Sequence, residues 1–174
     1  LGHSEAALAV ALPAHAPRLA ELGVPVAVAN AAFDPPAAPP AATGARTGID
    51  AECALLYTSG TTGTPKGCLI ANRYCLGIGH HYNTEGGLCA VRDAAERLIT
   101  PLPLFHMNSL VCSTTAMILA AGCVIQLDRF HPRSWWAEVA QTGATIVHYL
   151  GVMPAILLAQ PEQAHDRAHR VRFG

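Results

Sequence analysis

The chain has 174 residues, of which 51% are hydrophobic and 13% are charged, and its formal net charge is -1 at pH 7. This is the composition of a globular chain that buries a sizeable core, and it excludes a disordered protein. The near-neutral charge without basic runs argues against a nucleic-acid-binding face, and no apolar run is long enough to span a bilayer.

The first fifty residues divide into an apolar lead-in and a proline-rich linker. Residues 4–12 and 16–22 are rich in Ala and Leu, with Pro13 between them and Gly23 after them, which predicts one broken helix or two short helices. The β-branched stretch 24–29 predicts a strand. Four prolines within residues 30–50 predict a linker that runs over the surface.

The most informative stretch is 57–67, which reads Tyr-Thr-Ser-Gly-Thr-Thr-Gly-Thr-Pro-Lys-Gly and follows the apolar segment 54–57, a predicted buried strand. Glycines let backbone N–H groups converge on an anion, and hydroxyls and Lys66 donate to phosphate oxygens. The pattern is not the Walker loop, because Lys66 follows Pro65 and precedes Gly67 rather than Ser or Thr. The stretch therefore predicts a phosphate-binding loop, and the alternative is a surface loop that is merely rich in Gly and Thr.

Beyond this loop, strands and helices are predicted to alternate. Short apolar runs predict strands over 68–70, 98–102, 123–127, 144–149 and 171–173. Helices are expected over 72–83 with Asn72 as the cap, and over 109–121, 132–141 and 154–159. The alternation predicts an α/β fold, with a mostly parallel sheet that has helices on its faces. Ligands of such sheets sit beyond the carboxyl ends of the strands, so the loops after Tyr57 and Leu102 are expected to share one site.

A second unusual stretch is 101–108, which reads Pro-Leu-Pro-Leu-Phe-His-Met-Asn and follows a predicted strand. Its two prolines stiffen the chain before Phe105 and His106. The stretch follows the carboxyl end of a predicted strand, and this position makes it, with His106, a candidate for the site. The alternative is a histidine that bonds the backbone in a tight turn.

The other polar candidates are weaker. His80 and His81, and the pair His165 and His169, are predicted to lie on solvated faces, because no third ligand completes a zinc site. We expect His148 in the core or at a strand end, and the pair Trp135-Trp136 in the core or in helix packing. Asp128 is expected at a solvent-facing strand end. Six cysteines without Cys-x-x-Cys spacing, and an N-terminus without a secretion signal, predict reduced thiols in a cytoplasmic protein.

The string from Thr58 to Gly67 resembles, at every position, the pattern Thr-Ser-Gly-Thr-Thr-Gly-x-Pro-Lys-Gly of the acid-adenylating, AMP-binding superfamily. The segment Pro-Leu-Phe-His of that family is similar to the stretch that ends at His106. From Ala54 onward, order and spacing resemble the family's middle region. Within the family the chain looks most like the crotonobetaine/carnitine–CoA ligases, through Phe105-His106, Ser134-Trp135-Trp136 and Leu158-Ala159-Gln160-Pro161.

This resemblance implies part of the N-terminal domain of an adenylate-forming enzyme. Residues 1–29 would be its lead-in, residues 30–50 its linker, and residues 51–174 its phosphate-loop and acyl-pocket region. The implied activity is that of an acyl-CoA synthetase, which adenylates a small carboxylic acid with Mg²⁺ and ATP and transfers the acyl group to coenzyme A.

The resemblance also implies roles for particular residues. Lys66 would act catalytically on the leaving pyrophosphate, and His106 would face the acyl substrate and the path of the thiol. Phe105 would shape the wall of the substrate pocket beside His106. The ATP phosphates would be bound by Thr58, Ser59, Gly60, Thr61, Thr62, Gly63, Thr64, Lys66 and Gly67.

Two departures from the family pattern matter. Ala71-Asn72 stands where the family usually has Thr-His, so the role of that histidine is unfilled. The adenine motif, the ribose-binding Asp, the magnesium-holding Glu and the C-terminal domain with its catalytic Lys are not among these 174 residues. The chain is therefore expected to be an inactive fragment that self-associates through uncovered strand edges. Two alternatives stay open: an adenylation domain that loads a carrier protein, and a non-catalytic nucleotide-binding or interaction module.

Overall fold

The computed structural model describes residues 4–30, 48–59, 63–164 and 166–174, which form two compact units. The described part of the first unit consists of residues 4–30, 57–59 and 63–67. The second unit consists of residues 48–56 and 68–174, with position 165 outside the described residues. The predicted linker over 30–50 lies almost wholly outside the described residues.

The first unit contains two parallel strands, β1 (Ala9–Ala11) and β2 (Val26–Val28), joined through helix α1 (Ala16–Ala20). The predictions for α1 and β2 are confirmed. The helix predicted over 4–12 is wrong, because the backbone N–H of Ala9 donates to Pro25 and Ala11 accepts from Ala29, which makes β1 a strand. Pairing with a distant strand has here outweighed the helix propensity of an alanine-rich segment.

Strands β3 (Glu52–Thr58) and β4 (Lys66–Ala71) pair with each other in a two-stranded sheet. Both were predicted as strands, but the prediction that β3 is buried is wrong. Tyr57 is exposed, and the leucines at positions 55 and 56 are only half-buried. A two-stranded sheet has no third strand or covering layer of its own to enclose these side chains.

Helix α2 (Asn72–Thr84) follows β4 directly and confirms the predicted helix. The prediction that Asn72 caps this helix is wrong. The capping position is occupied by Ala71, the residue before it. The Nδ2 of Asn72 instead donates to the carbonyl oxygen of Gly48 at 2.9 Å.

A three-stranded parallel sheet of order β6-β5-β7 forms the centre of the second unit. Its strands are β5 (Arg97–Thr100), β6 (Cys123–Gln126) and β7 (Ile146–Val147). Leu98 of β5 pairs with both neighbours, with Val124 on one side and Ile146 on the other. The strand predicted over 171–173 is reduced to one parallel bridge between Ile146 and Phe173.

Helices cover both faces of this sheet, because successive strand residues point to opposite sides. On one face Leu98 and Ile146 pack against three residues at and after α3 (Ala116–Leu119): Ala116, Met117 and Ala120. On the other face Ile99 and Val147 pack against three residues of α4 (Trp135–Thr142) and α5 (Met153–Leu158): Trp135, Val139 and Met153. The predicted α/β layering is therefore present.

Two predicted helices differ from the structure. Helix α4 begins after Ser134 rather than at Pro132 and ends at Gly143, whose φ of +64° favours glycine. The helix predicted over 109–121 begins as a π-helix (Asn108–Thr115) before α3. Within it the Thr114 hydroxyl donates to the Ser109 carbonyl at 2.8 Å, five residues back, a spacing that accompanies the wider turn.

Candidate functional site

The predicted phosphate loop joins the end of β3 to the start of β4. Its described side chains at Thr58, Ser59, Thr64 and Lys66 are exposed, and Gly67 is half-buried. Gly63 has a φ of +80°, a conformation that glycine adopts without strain. Gly60, Thr61 and Thr62 lie outside the described residues. The described part of the loop thus offers an anion three hydroxyls and an amine.

Lys66 is the single lysine of the sequence and the first residue of β4. A strand position fixes the backbone from which its long side chain extends, while the exposed ammonium group stays mobile. The expected role of this charge, to follow a phosphate group, stays a prediction.

His106 lies in the turn between β5 and the π-helix. Its backbone N–H donates to Pro103 at 3.0 Å and its carbonyl accepts from Leu110 at 3.0 Å, so the backbone is held in a tight turn. Its imidazole is exposed and lies 4.6 Å from the ring of Phe105, centroid to centroid. The turn therefore holds the backbone and presents the ring.

A cavity of about 270 Å³ lies beside this ring. Its lining is mainly apolar and comprises Leu102, Pro103, His106, Met107, Asn108 and Leu150. Phe105 is not part of this lining and is 70% exposed, so in this structure it supports the His106 ring rather than the cavity wall. The phosphate loop and His106 belong to different compact units, and their expected shared site stays a prediction.

A second cavity in the same unit, of about 360 Å³, has a polar corner that no sequence pattern indicated. His148, the residue after β7, shares a hydrogen bond through Nδ1 with the buried hydroxyl of Ser113, and its ring lies 6.1 Å from that of Tyr82. Burial lowers the pKa of His148, which favours the neutral imidazole. Burial and a hydrogen bond with Cys112 raise the pKa of Tyr82 to about 12.

A buried carboxylate, Glu96, was also not predicted. It accepts hydrogen bonds from Arg92, at 2.8 Å from Nε, from the guanidinium of Arg172 and from the hydroxyl of Thr145. Burial raises the pKa of the Glu96 carboxyl, but the bonds from Arg92 and Thr145 and the charge of Arg172 outweigh that effect and hold the pKa below its ordinary value. Residues 93–95 form a turn, so the four-residue spacing of Arg92 and Glu96 is not a helical pair, and no sequence pattern indicated this cluster.

The remaining polar candidates have ordinary surroundings, and the prediction fails for one of them, His169. His81 pairs with Glu85 at 3.1 Å on the exposed face of α2, and Asp128 is exposed and bonded to His131, which lowers the pKa of Asp128. The prediction of a solvated face is wrong for His169, whose ring stacks on Trp136 at 5.0 Å. His165 lies outside the described residues.

Two larger features are not found within the described ranges. No group of three or more histidine, cysteine, aspartate and glutamate side chains is arranged there to hold a metal ion. Nor does any described helix have the length and apolar character needed to cross a bilayer.

Comparison with known proteins adds evidence of descent. The model of a family described as "AMP-binding enzyme" matches residues 2–174. Sulfoacetate--CoA ligase of Cupriavidus necator is 37% identical over 125 residues, covering 71% of this chain and 23% of that protein. Crotonobetaine/carnitine--CoA ligase of Shigella sonnei is 33% identical over 135 residues, covering 78% and 24%. The chain therefore spans about a quarter of the length of these curated relatives.

Solved structures share the fold. ATP-bound MatB from Rhodopseudomonas palustris has a TM-score of 0.66 at 22% identity, covering 96% of this chain and 34% of that one. The o-succinylbenzoate CoA synthetase MenE from Bacillus subtilis, in complex with the acyl-adenylate intermediate OSB-AMP, has a TM-score of 0.67 at 20% identity, covering 98% and 43%. These likenesses confirm the α/β fold predicted from the sequence.

Proposed function

The chain belongs to the AMP-binding enzyme family, and from this we propose that the full-length protein is an ATP-dependent acyl-CoA synthetase. It would adenylate a carboxylic acid, release pyrophosphate and transfer the acyl group to coenzyme A. The observation that carries the proposal is the string from Thr58 to Gly67 between β3 and β4, in a chain 37% identical to a CoA ligase.

In the first step, the loop would bind the phosphates of ATP and stabilise the leaving pyrophosphate. Ser59 and Thr64 would donate hydroxyl hydrogen bonds to phosphate oxygens, together with Thr61 and Thr62 in the same string. Lys66 would neutralise the charge that builds up on the leaving group. This kind of catalysis depends on positioning and charge, because phosphoryl and nucleotidyl transfers need little covalent chemistry from the protein.

A magnesium ion, when bound with ATP, would share this neutralisation of charge. The described residues contain no cluster of acidic side chains that fits such an ion, so we assign none of them to it. Among the described residues, the roles that we assign in the proposed first step therefore fall on the loop.

The carboxylic acid would bind beside His106. The cavity of about 270 Å³ is apolar around Leu102 and Leu150, which suits the hydrocarbon part of a small acid. His106 would sit at its exposed edge, where the carboxylate and later the thiol must approach. Phe105 would keep the imidazole oriented through ring contact.

Coenzyme A is the acceptor that the relatives favour, since both of the relatives named above are CoA ligases. The alternative acceptor is the thiol of a carrier protein. We place the protein in the cytoplasm, an assignment that the six free thiols support.

The test is carboxylate-dependent exchange of pyrophosphate into ATP by the full-length protein, with a panel of small acids. Lys66→Ala should lower the exchange rate by about a hundredfold or more, the usual loss when a charge-stabilising group is removed. Arg129→Ala is the matched control, because Arg129 is an exposed cation far from the loop in sequence and its removal should leave the rate unchanged.

Unchanged exchange in Lys66→Ala would contradict the role of the loop lysine. Adenylation followed by consumption of coenzyme A supports the synthetase, whereas adenylation without it supports a domain that loads a carrier protein. Nucleotide binding with no exchange for any acid would leave the non-catalytic module as the better account.

A further inference from the structure

Two cysteines from separate elements bring their sulfur atoms into contact. Cys53 lies on β3 and Cys75 lies in the first turns of α2, and their Sγ atoms are 3.4 Å apart. The Cys53 thiol also donates to the carbonyl oxygen of Ile70 on β4 at 3.2 Å. Both thiols are free. All six cysteines lie in the described part of the chain.

We propose that Cys53 and Cys75 form a reversible disulfide, a modification site whose reagent is a hydroperoxide. This inference is independent of the proposed synthetase activity, because it rests on the sulfur geometry alone. The sulfurs need to approach each other by about 1.4 Å to reach bonding distance.

The chemistry proceeds in two balanced steps. The Cys53 thiol attacks the hydroperoxide, forms a sulfenic acid and releases an alcohol, or water when the oxidant is hydrogen peroxide. The Cys75 sulfur then attacks the Cys53 sulfur, displaces its oxygen as water and forms the disulfide. One hydroperoxide is reduced by two electrons, and the two thiols supply them.

Exposure assigns the order of these steps. Cys53 is exposed and meets the oxidant first, whereas Cys75 is half-buried and is the resolving thiol. Partial burial and the hydrogen bond with Cys53 raise the pKa of the Cys75 thiol to about 11, so it is protonated at neutral pH. Resolution needs no diffusion, because the two sulfurs are already in contact.

The position of the pair gives the disulfide a consequence. The chain between Cys53 and Cys75 contains the end of β3, the whole string 58–67 and β4. The disulfide would close this segment into a covalent loop whose base is the contact between Cys53 on β3 and Cys75 on α2. The strand that leads into the candidate phosphate loop would then be fixed to the helix that follows it.

The test is peptide mapping of the full-length protein after hydrogen peroxide treatment and alkylation of the remaining thiols. Trypsin releases Cys53 alone in residues 47–66, and Cys75 together with Cys89 in residues 74–92. The Cys89→Ser variant therefore gives the cross-linked pair a single assignment. We expect this cross-link to form, to disappear with a thiol reductant and to fall to background in Cys53→Ser.

Cys68→Ser is the matched control, because Cys68 is exposed on the neighbouring strand and its loss should leave the yield unchanged. Separate oxidation of Cys53 and Cys75 to sulfinic acids, without the cross-link, would overturn the proposal. So would a cross-link that joins Cys53 to Cys68 or to a second molecule in preference to Cys75.

Discussion

Replacing Glu96 by glutamine tests whether the buried carboxylate stabilises the fold as an ion. The Glu96 side chain is 0% exposed, while its partners Arg92 and Arg172 are 53% and 29% exposed. Glutamine preserves the volume and one acceptor oxygen, but it removes the charge and replaces the other oxygen with an NH2 group that has two N–H donors. The substitution therefore isolates the charge from the packing.

The expected cost follows from this geometry. Removing one member of a buried ion pair costs about 3–5 kcal/mol, because the other member is left without compensation. Here both arginines retain contact with water and can be solvated after the change. We therefore expect the lower end, about 3 kcal/mol, which is a large share of a typical total stability of about 5–15 kcal/mol.

The assay is urea unfolding of the variant and of the unmodified protein, with Glu162→Gln as the matched control. Glu162 is 84% exposed and faces Arg167 at 3.7 Å, so its loss should change the unfolding free energy by less than about 0.5 kcal/mol. A Glu96→Gln variant as stable as this control would refute the reasoning.

The dependence of unfolding stability on pH gives a second test of the same prediction. The folded-state pKa of Glu96 is lowered from 4.5, so its contribution is fully present above that pH and is lost as the pH falls through the folded-state pKa. The stability difference between Glu96→Gln and the unmodified protein should therefore shrink in strong acid. A difference that stays constant with pH would mean that the charge is not its source.

Two further predictions concern His148 and Gly79. Burial lowers the pKa of His148 from 6.5, so as the pH drops this histidine is protonated in the unfolded chain before it is protonated in the folded protein. The stability of the folded protein should therefore fall as the pH drops below 6.5. In His148→Gln this fall, measured by thermal unfolding, should be smaller. Gly79→Ala on α2 would place a methyl group 2.8 Å from Cγ2 of Thr115 and should destabilise the protein by about 1–3 kcal/mol. Gly77→Ala on the same helix meets no atom within 4 Å and should stabilise it slightly; equal effects at both positions would contradict the packing argument.

Local patterns were enough to predict the sheet and most of the helices. Short apolar runs located the three strands β5, β6 and β7, and the glycine at position 143 correctly ended α4. The prediction failed at β1, where alanines favour a helix but a distant partner strand pairs with them. It also failed within 108–115, where hydroxyl side chains bond to carbonyls five residues back and widen the turn.

The site residues also divide into those that a local pattern predicted and those that it missed. The phosphate loop was visible because its hydroxyls, glycines and lysine are consecutive. The His148 corner and the Glu96 cluster were not, because their partners Ser113 and Thr145 are 35 and 49 positions away in the sequence. Contacts of that kind exist only after the sheet has assembled.

The π-helix has a consequence for how this chain is aligned and engineered. Each residue of an α-helix turns the chain by about 100° about the helix axis. A π turn holds about one more residue than an α turn, so the π-helix determines the angle about this axis between His106, before the segment, and Met117, after it. Deleting one residue from 108–115 would let the segment relax to α-helical bonding. It would also rotate His106 by about a quarter-turn or more relative to the buried face of α3. The orientation of the His106 imidazole is therefore more sensitive to the length of this segment than to the identity of its residues.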